Sequence, residues 1–120
     1  SVVKEIEIYP FGMGFVFHDV ERVAHKEAVE NAWRFMEKML EKGKYDILVL
    51  DELNVVLHLG LFPVKRVVEF LYKKDSTLHV IITGRGAPSE IVELADIVTE
   101  MKQIKHIFNS GVKSAIGIDY

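Results

Sequence analysis

The sequence predicts an α/β fold in which a mostly parallel sheet carries helices on both faces. Short apolar runs that suit buried strands alternate with longer segments whose apolar residues keep helical spacing. Polar clusters also follow three of the predicted strands, and open α/β sheets form their sites at the carboxyl ends of strands. The 120 residues suit one domain, spanning residues 1–120.

The first part of the chain predicts a strand, a loop and a helix. Residues 2–9 (VVKEIEIY) alternate apolar and polar side chains, which predicts a strand with one buried face. Residues 10–19 (PFGMGFVFHD) predict a Gly-rich aromatic loop that ends at Asp19, a helix-capping residue. Helical spacing of the apolar residues predicts a helix over 20–42, and Gly43 then stands where a left-handed cap belongs.

The rest of the chain continues the alternation of strands and helices. The predicted elements are a doubly covered strand at 47–50 (ILVL), a helix from Pro63 to about Lys73, a strand at 78–83 (LHVIIT), a short helix at 89–95 (SEIVELA) and a last strand at 95–101. This order implies parallel strands joined by right-handed crossovers.

Composition excludes several classes of function. A formal net charge of -3 gives no basic field that would draw nucleic acid or an acidic membrane. The absence of cysteine excludes disulfides, thiolate metal sites and cysteine nucleophiles, and fits a cytoplasmic protein. No apolar run approaches the roughly 20 residues of a membrane span, and no signal peptide is recognisable at the start.

The first polar cluster, Asp51 and Glu52, directly follows the strand predicted at 47–50. At the end of a buried strand, two carboxylates are costly unless they are paired, hydrated or bound to a cation. Magnesium accepts one or two carboxylates with waters and phosphate oxygens, so the pattern resembles a Walker B strand. The alternative is a helix-capping Asp51 and a surface Glu52. No phosphate-binding G-x-x-x-x-G-K-[ST] loop occurs in the 120 residues.

The second cluster is the loop that follows Tyr9. Gly12 and Gly14 permit tight turns or the close approach of a ligand. The large apolar side chains of this loop are Phe11, Met13, Phe15 and Phe17. They either pack on the core or form a flat apolar wall for a large ring system.

The third cluster is the TGRG segment at 83–86. Arg85 can contact a phosphate bidentately, because the planar guanidinium matches phosphate geometry. A salt bridge from Arg85 to Asp51 or Glu52 is a compatible alternative. The five histidines show no metal-ligand spacing and are interpreted as surface or packed residues, and Trp33 as a core residue.

Together these stretches resemble one family closely, the ATP:corrinoid adenosyltransferases of the P-loop type. The matching segments are GMGFVF at 12–17, LVLDELNVVL at 48–57, VIITGRGAPSEIVELAD at 80–96 and KHIFNSGVKSAIGIDY at 105–120. The last is the most specific. The resemblance covers nearly all of this chain but only the later part of the family's chain, since the family carries its P-loop on an earlier strand. It therefore implies a RecA-like P-loop NTPase architecture that is incomplete at the amino end.

The resemblance implies transfer of the 5′-deoxyadenosyl group of ATP to the Co(I) centre of cob(I)alamin or a related corrinoid, with triphosphate leaving. The attacking atom is then cobalt of the second substrate, so Glu52 need not act as a general base. Glu52, with Asp51 beside it, is expected to hold Mg²⁺ or Mn²⁺ on the triphosphate. Thr83 and Arg85 are expected to contact the nucleotide phosphates.

The resemblance also gives the aromatic loop a role. Phe15 and Phe17, with Met13 and Gly14, are expected to lie against the lower face of the corrin and to keep a ligand off cobalt. Four-coordinate cobalt is easier to reduce to Co(I). Relatives commonly carry tryptophan at the position of Phe17, so this residue departs from the family pattern.

Further expectations follow from the same resemblance. The protein is expected to be a cytoplasmic homodimer that receives electrons from a flavodoxin-like reductase, and the 120 residues are expected to be inactive and unstable without a P-loop segment. One alternative is a non-catalytic corrinoid-binding module. Another is a fragment of a RecA-like ATPase, which leaves the GVK…GIDY tail without explanation.

Overall fold

The computed structural model describes residues 6–9 and 19–105. Its elements in chain order are α1 (Asp19–Lys42), β1 (Ile47–Leu50), α2 (Leu53–His58), α3 (Val64–Lys73), β2 (His79–Ile82) and α4 (Ser89–Leu94). Both predicted inner strands and three predicted helices are present. None of the helices in the described ranges is long and apolar enough to cross a membrane. This part of the chain is a small α/β domain.

The sheet in the described residues is a parallel pair of strands. β1 and β2 lie in register from the pair Ile47–His79 to the pair Leu50–Ile82. Parallel pairing is confirmed, but cover on both faces is not seen in residues 6–9 and 19–105. Ile47 is 58% exposed and Val49 55%, on the opposite face from the partly buried Leu50. Helices on both faces of a larger sheet therefore stay a prediction.

One hydrophobic cluster holds the four helices against the inner face of the sheet. Its buried members are Val29 and Trp33 of α1, Leu53 and Leu57 of α2, Leu61, Phe62, Val67 of α3 and Ile91 of α4. Leu50 and Ile82 pack against it at the carboxyl ends of both strands. The prediction that Trp33 belongs to the core is confirmed. The ends of the two strands are thus fixed to the core on one side.

The strand predicted at 95–101 is wrong, and the strand predicted at 2–9 is not formed over 6–9, the part of it that lies within the described residues. Residues 95–101 follow α4 without strand pairing, and Ile97 is 85% exposed. Residues 6–9 are also unpaired and exposed, where Glu7 accepts hydrogen bonds from the hydroxyls of Tyr9 and Tyr45. Both segments have apolar residues that suit a strand, but an extended chain becomes a strand only beside a partner's donors and acceptors.

The predicted left-handed cap at Gly43 is also wrong. Gly43 does not have a positive φ, and its N–H donates to the carbonyl of Met39 at 3.0 Å, as in a continuing helix. The Tyr45 side chain lies close to Gly43. A Cβ on Gly43 would lie 2.9 Å from Cε2 of Tyr45.

An ion pair joins α1 to α3 beside the core. The Arg66 guanidinium donates to Glu30 and also lies 4.7 Å from the centre of the Phe62 ring. Arg34, one turn further along α1, places Nε 3.5 Å from the same Glu30 carboxylate. The hydrogen bond from Arg66 is the main cause that lowers the pKa of Glu30 from its usual 4.5. The pair therefore favours the ionised carboxylate in the folded state.

This ion pair predicts how stability depends on pH. A carboxyl group whose pKa is lowered by folding stabilises the protein above its unfolded pKa, and the contribution is lost as pH falls through the folded pKa. Arg66→Met should cost about 1 kcal/mol of unfolding free energy at pH 7, because the pair is partly exposed. The cost should shrink as the pH falls below 4.5. Urea unfolding at several pH values measures it, with exposed Lys65→Met as the charge-matched control. A pH-independent difference between the two variants would contradict the account.

Candidate functional site

The carboxyl ends of β1 and β2 bring two of the predicted clusters together. The Thr83 hydroxyl donates to Oδ1 of Asp51 at 2.7 Å and accepts the backbone N–H of Glu52 at 2.9 Å. The Thr83 N–H donates to the carbonyl of Leu50 at 3.3 Å, which continues the parallel pairing beyond the strands. A single hydroxyl thus joins both acidic residues to the neighbouring strand end.

Glu52 has an unusual backbone conformation. Its φ of 60° and ψ of 14° lie in the left-handed region, and it is the sole non-glycine residue with positive φ in ranges 6–9 and 19–105. This conformation costs a non-glycine residue roughly 1 kcal/mol. Hydrogen bonds hold it in place, because the Glu52 carbonyl accepts the N–H groups of Val55 at 3.1 Å and Val56 at 3.3 Å. The chain therefore turns sharply from β1 into α2 at this residue.

The carboxylates of Asp51 and Glu52 are both exposed. The burial cost that the sequence suggested therefore does not apply to them. The alternative of a helix-capping Asp51 is wrong, because Glu52 occupies the N-cap position of α2 without a side-chain capping bond and Asp51 is bonded to Thr83. The second half of that alternative, a surface Glu52, agrees with the exposure of this residue. Both are accessible to a ligand at the strand ends.

The short helix α2, which the sequence did not predict, carries a buried polar residue of the site. Asn54 is 6% exposed; its backbone N–H donates to the carbonyl of Thr83 at 3.1 Å and its Nδ2 donates to the carbonyl of Gly84 at 3.2 Å. An asparagine within the apolar run LNVVLHL was the available signal for it. Because no helix was predicted here, the sequence could not show that the Asn54 side chain faces the TGRG segment.

The TGRG segment lies along α2 at very short distances. Gly84 has a φ of 118°, and a Cβ there would lie 3.2 Å from Cβ of Asn54. Gly86 has a φ of 70°, and a Cβ there would lie 2.9 Å from Nδ1 of His58. Asn54 and His58 are four residues apart and share one face of the helix. Because both glycines have positive φ, a side chain at either position would be strained, and it would also lie in tight contact with this face of α2.

Arg85 lies between these two fixed glycines and is exposed. Within residues 6–9 and 19–105 it forms neither a hydrogen bond nor an ion pair, so the alternative salt bridge to Asp51 or Glu52 is not formed there. The guanidinium is thus available to an anion at the same edge of the sheet.

A separate groove of about 490 Å³ lies on the side of α1 and the α2–α3 connection. It is lined by Lys26, Glu30, Leu57, Gly60, Leu61, Phe62, Pro63 and Val64. None of the strand-end residues contributes to it. In the described part of the chain, the candidate site is therefore an open surface at the sheet edge and not this groove.

The donor set at the strand ends fits a hard divalent cation bound together with a phosphate ligand. No group of three or more His, Asp or Glu side chains that could hold a metal ion occurs in the described ranges. Magnesium, however, is usually bound by one or two carboxylates, with waters and substrate phosphates completing its shell. Asp51 and Glu52 supply two exposed carboxylates, and Thr83 fixes the orientation of the first.

The predicted corrinoid-binding residues lie outside the described residues. These are Met13, Gly14, Phe15 and Phe17. Their assignment stays a prediction.

Comparison with known proteins gives consistent matches over the whole chain. A family model described as ATP:corrinoid adenosyltransferase BtuR/CobO/CobP matches residues 1–120. The chain is 36% identical over 115 residues to a corrinoid adenosyltransferase of Escherichia coli, which covers 96% of this chain and 59% of the relative. Identity to the corrinoid adenosyltransferase of Pseudomonas aeruginosa is 33% over 117 residues, covering 98% and 58%. Identity to the corrinoid adenosyltransferase of Sinorhizobium is 35% over 115 residues, which covers 95% of this chain and 54% of the relative. The chain thus spans little more than half the length of these curated relatives.

Proposed function

This chain belongs to the ATP:corrinoid adenosyltransferase family, and we propose that the complete protein transfers the 5′-deoxyadenosyl group of ATP to the Co(I) centre of a corrinoid. In this reaction the electron pair of Co(I) attacks the 5′ carbon of ATP. The bond from that carbon to the triphosphate oxygen breaks, and intact triphosphate leaves. Cobalt is formally oxidised to Co(III) as the cobalt–carbon bond forms.

The observation that carries this proposal is the arrangement at the carboxyl ends of β1 and β2, which the hydrogen bonds of Thr83 hold together. Asp51 and Glu52 are exposed beside Thr83, and Arg85 is available at the same edge. Negative charge grows on the triphosphate as it leaves, so catalysis needs fixed cationic groups there more than a base. Arg85 is proposed to contact the phosphates bidentately. Thr83 is proposed to act chiefly by orienting Asp51 and Glu52.

Asp51 and Glu52 are the residues proposed to hold Mg²⁺ or Mn²⁺ on the triphosphate. A bound divalent ion there would offset charge on the leaving group. The turn at Glu52 directs the chain away from β1, and the Thr83 hydroxyl restricts the Asp51 carboxylate. Both carboxylates therefore stay accessible at the edge where the phosphates are proposed to bind.

The other parts of the proposal derive from family membership. Phe15 and Phe17, with Met13 and Gly14, are proposed to contact the corrin. A RecA-like architecture is compatible with the parallel pair β1–β2 and its acidic end, and is proposed for the complete domain. A homodimer and a flavodoxin-like electron donor are also proposed.

Corrinoid titration with and without ATP separates the proposed function from its alternatives. A corrinoid adenosyltransferase should form adenosylated corrinoid only when ATP, a divalent cation and reduced corrinoid are all present. Tight corrinoid binding that ATP does not alter, without transfer, would favour a binding module. Release of phosphate from ATP without corrinoid would favour a RecA-like ATPase.

Replacing Thr83 with valine tests the junction between the strand ends. Valine keeps the shape of the side chain but removes the donor to Asp51 and the acceptor for Glu52. We expect the KM for magnesium-ATP to rise about tenfold, as loss of roughly 1.4 kcal/mol would give, with corrinoid affinity within about twofold of wild type. Steady-state kinetics with each substrate varied in turn measures both.

Thr77→Val is the matched control for this variant. The Thr77 hydroxyl donates to Oδ1 of Asp75 at 2.8 Å, so it makes the same kind of bond before β2 instead of after it. Its loss should leave both KM values unchanged. Equal effects of the two substitutions would show that Thr83 has no special part in the site.

A further inference from the structure

We propose that Asn54 is a positioning residue for the strand-end site, which fastens the TGRG segment to α2 and thereby sets the places of Thr83 and Arg85. The proposal rests on the proposed function, in which these two residues serve the nucleotide. Asn54 itself is buried and does not touch the substrate.

Asn54 binds two successive carbonyl groups of the TGRG segment. Its backbone N–H donates to the carbonyl of Thr83 at 3.1 Å, and its Nδ2 donates to the carbonyl of Gly84 at 3.2 Å. These bonds fix the backbone between the Thr83 hydroxyl and the Arg85 side chain. Because Arg85 forms no ion pair or hydrogen bond of its own within 6–9 and 19–105, its position depends on this backbone.

The Oδ1 acceptor of Asn54 does not contribute to the stability of the fold. The Asn54 side-chain amide is buried, yet its Oδ1 has no hydrogen-bond partner in the described part of the chain. A buried unpaired acceptor is destabilising, and an apolar side chain of the same size would avoid that cost. The orientation of the amide is set by Gly84, since a flipped amide would direct Oδ1 at a carbonyl oxygen. The donor at Nδ2 is thus the property that asparagine supplies.

Gly84 of the TGRG segment packs closely against Asn54 of α2. A Cβ on Gly84 would lie 3.2 Å from Cβ of Asn54. Loss of the bond from Nδ2 therefore releases a segment that lies in direct contact with the helix. We expect the backbone that follows Thr83 to move away from α2 and to take the Arg85 guanidinium with it, while the hydrogen bonds of Thr83 itself remain.

Asn54→Leu in the complete protein, as its gene encodes it, tests the proposal. Leucine removes the donor and the unpaired acceptor together, so the thermal midpoint should shift by less than about 4 °C. The KM for magnesium-ATP should rise about tenfold while the KM for corrinoid stays within about twofold. An unchanged KM for ATP overturns the proposal. So does a loss of thermal stability in which both KM values change together, because that is the behaviour of a merely structural residue.

Failure of the proposed function gives a different result. In that case the wild-type protein itself shows no adenosyl transfer. The positioning role is then tested by calorimetric titration of magnesium-ATP into the wild-type protein and Asn54→Leu, where equal affinity overturns it and a weaker affinity of the variant supports it.

Discussion

Replacing Glu52 with alanine is expected to lower kcat/KM for ATP at least about 100-fold, while corrinoid affinity stays within about twofold. The carboxylate is exposed at the strand end and has no hydrogen-bond partner among the described residues. Removing it therefore takes a proposed cation ligand away and breaks no contact of the fold. Steady-state kinetics and a corrinoid titration on the same preparation measure the two quantities.

The backbone at Glu52 provides a sharp control for this experiment. Its φ of 60° favours glycine, so Glu52→Gly should be about 1 kcal/mol more stable than Glu52→Ala. If the carboxylate is what matters, both variants lose activity equally despite this difference in stability. A Glu52→Gly variant that kept its activity would contradict the assigned role, and loss of corrinoid affinity equal to the loss of ATP use would do the same. Exposed Glu93→Ala should leave both quantities unchanged.

Replacing Trp33 with alanine is expected to have the largest effect on stability, about 3–5 kcal/mol. The indole is 5% exposed, and its centre lies 4.9 Å from the Phe62 ring and 5.4 Å from the Phe70 ring. Alanine would leave a cavity between α1 and α3 in a small core. The loss is a large fraction of the roughly 5–15 kcal/mol by which an ordinary domain is stable, so the variant should unfold at a much lower urea concentration.

Urea unfolding of the complete protein measures this loss as a lower midpoint at an unchanged slope. Tyr72→Ala on α3 is the matched control, since that ring is 73% exposed and its removal should change the unfolding free energy by about 0.5 kcal/mol or less. A Trp33 variant as stable as the Tyr72 variant would show that the cluster around Trp33 does not hold the helices together.

The pattern of apolar residues was sufficient to predict both strands and three of the four helices, but it failed for α2 and for the segment at 95–101. The apolar runs at 47–50 and 78–83 predicted β1 and β2, and helical spacing predicted α1, α3 and α4. The strand expected at 95–101 has a suitable pattern, but pairing requires a neighbouring strand that no local pattern reveals. The short α2 was missed because LNVVLH is apolar on most sides and no capping side chain precedes it.

The sequence likewise predicted some residues of the candidate site and missed others. Asp51, Glu52, Thr83 and Arg85 were predicted because they follow strands whose parallel pairing brings their ends together. Asn54 and its contact with the TGRG segment were not, because they depend on the direction of α2. Nor could the left-handed turn at Glu52 be predicted, since glutamate rarely adopts it and tertiary hydrogen bonds hold it in place.

The ratio of triphosphate to adenosylated corrinoid tests the proposed adenosyl transfer most directly. The complete protein is mixed with ATP, Mg²⁺ and a corrinoid reduced to Co(I); the cobalt–carbon bond is followed by absorption and the phosphate products by phosphorus NMR. The proposed reaction predicts one intact triphosphate for each adenosylated corrinoid and no turnover of ATP when corrinoid is left out. Formation of ADP and phosphate without corrinoid, or adenosylated corrinoid without triphosphate, would contradict it.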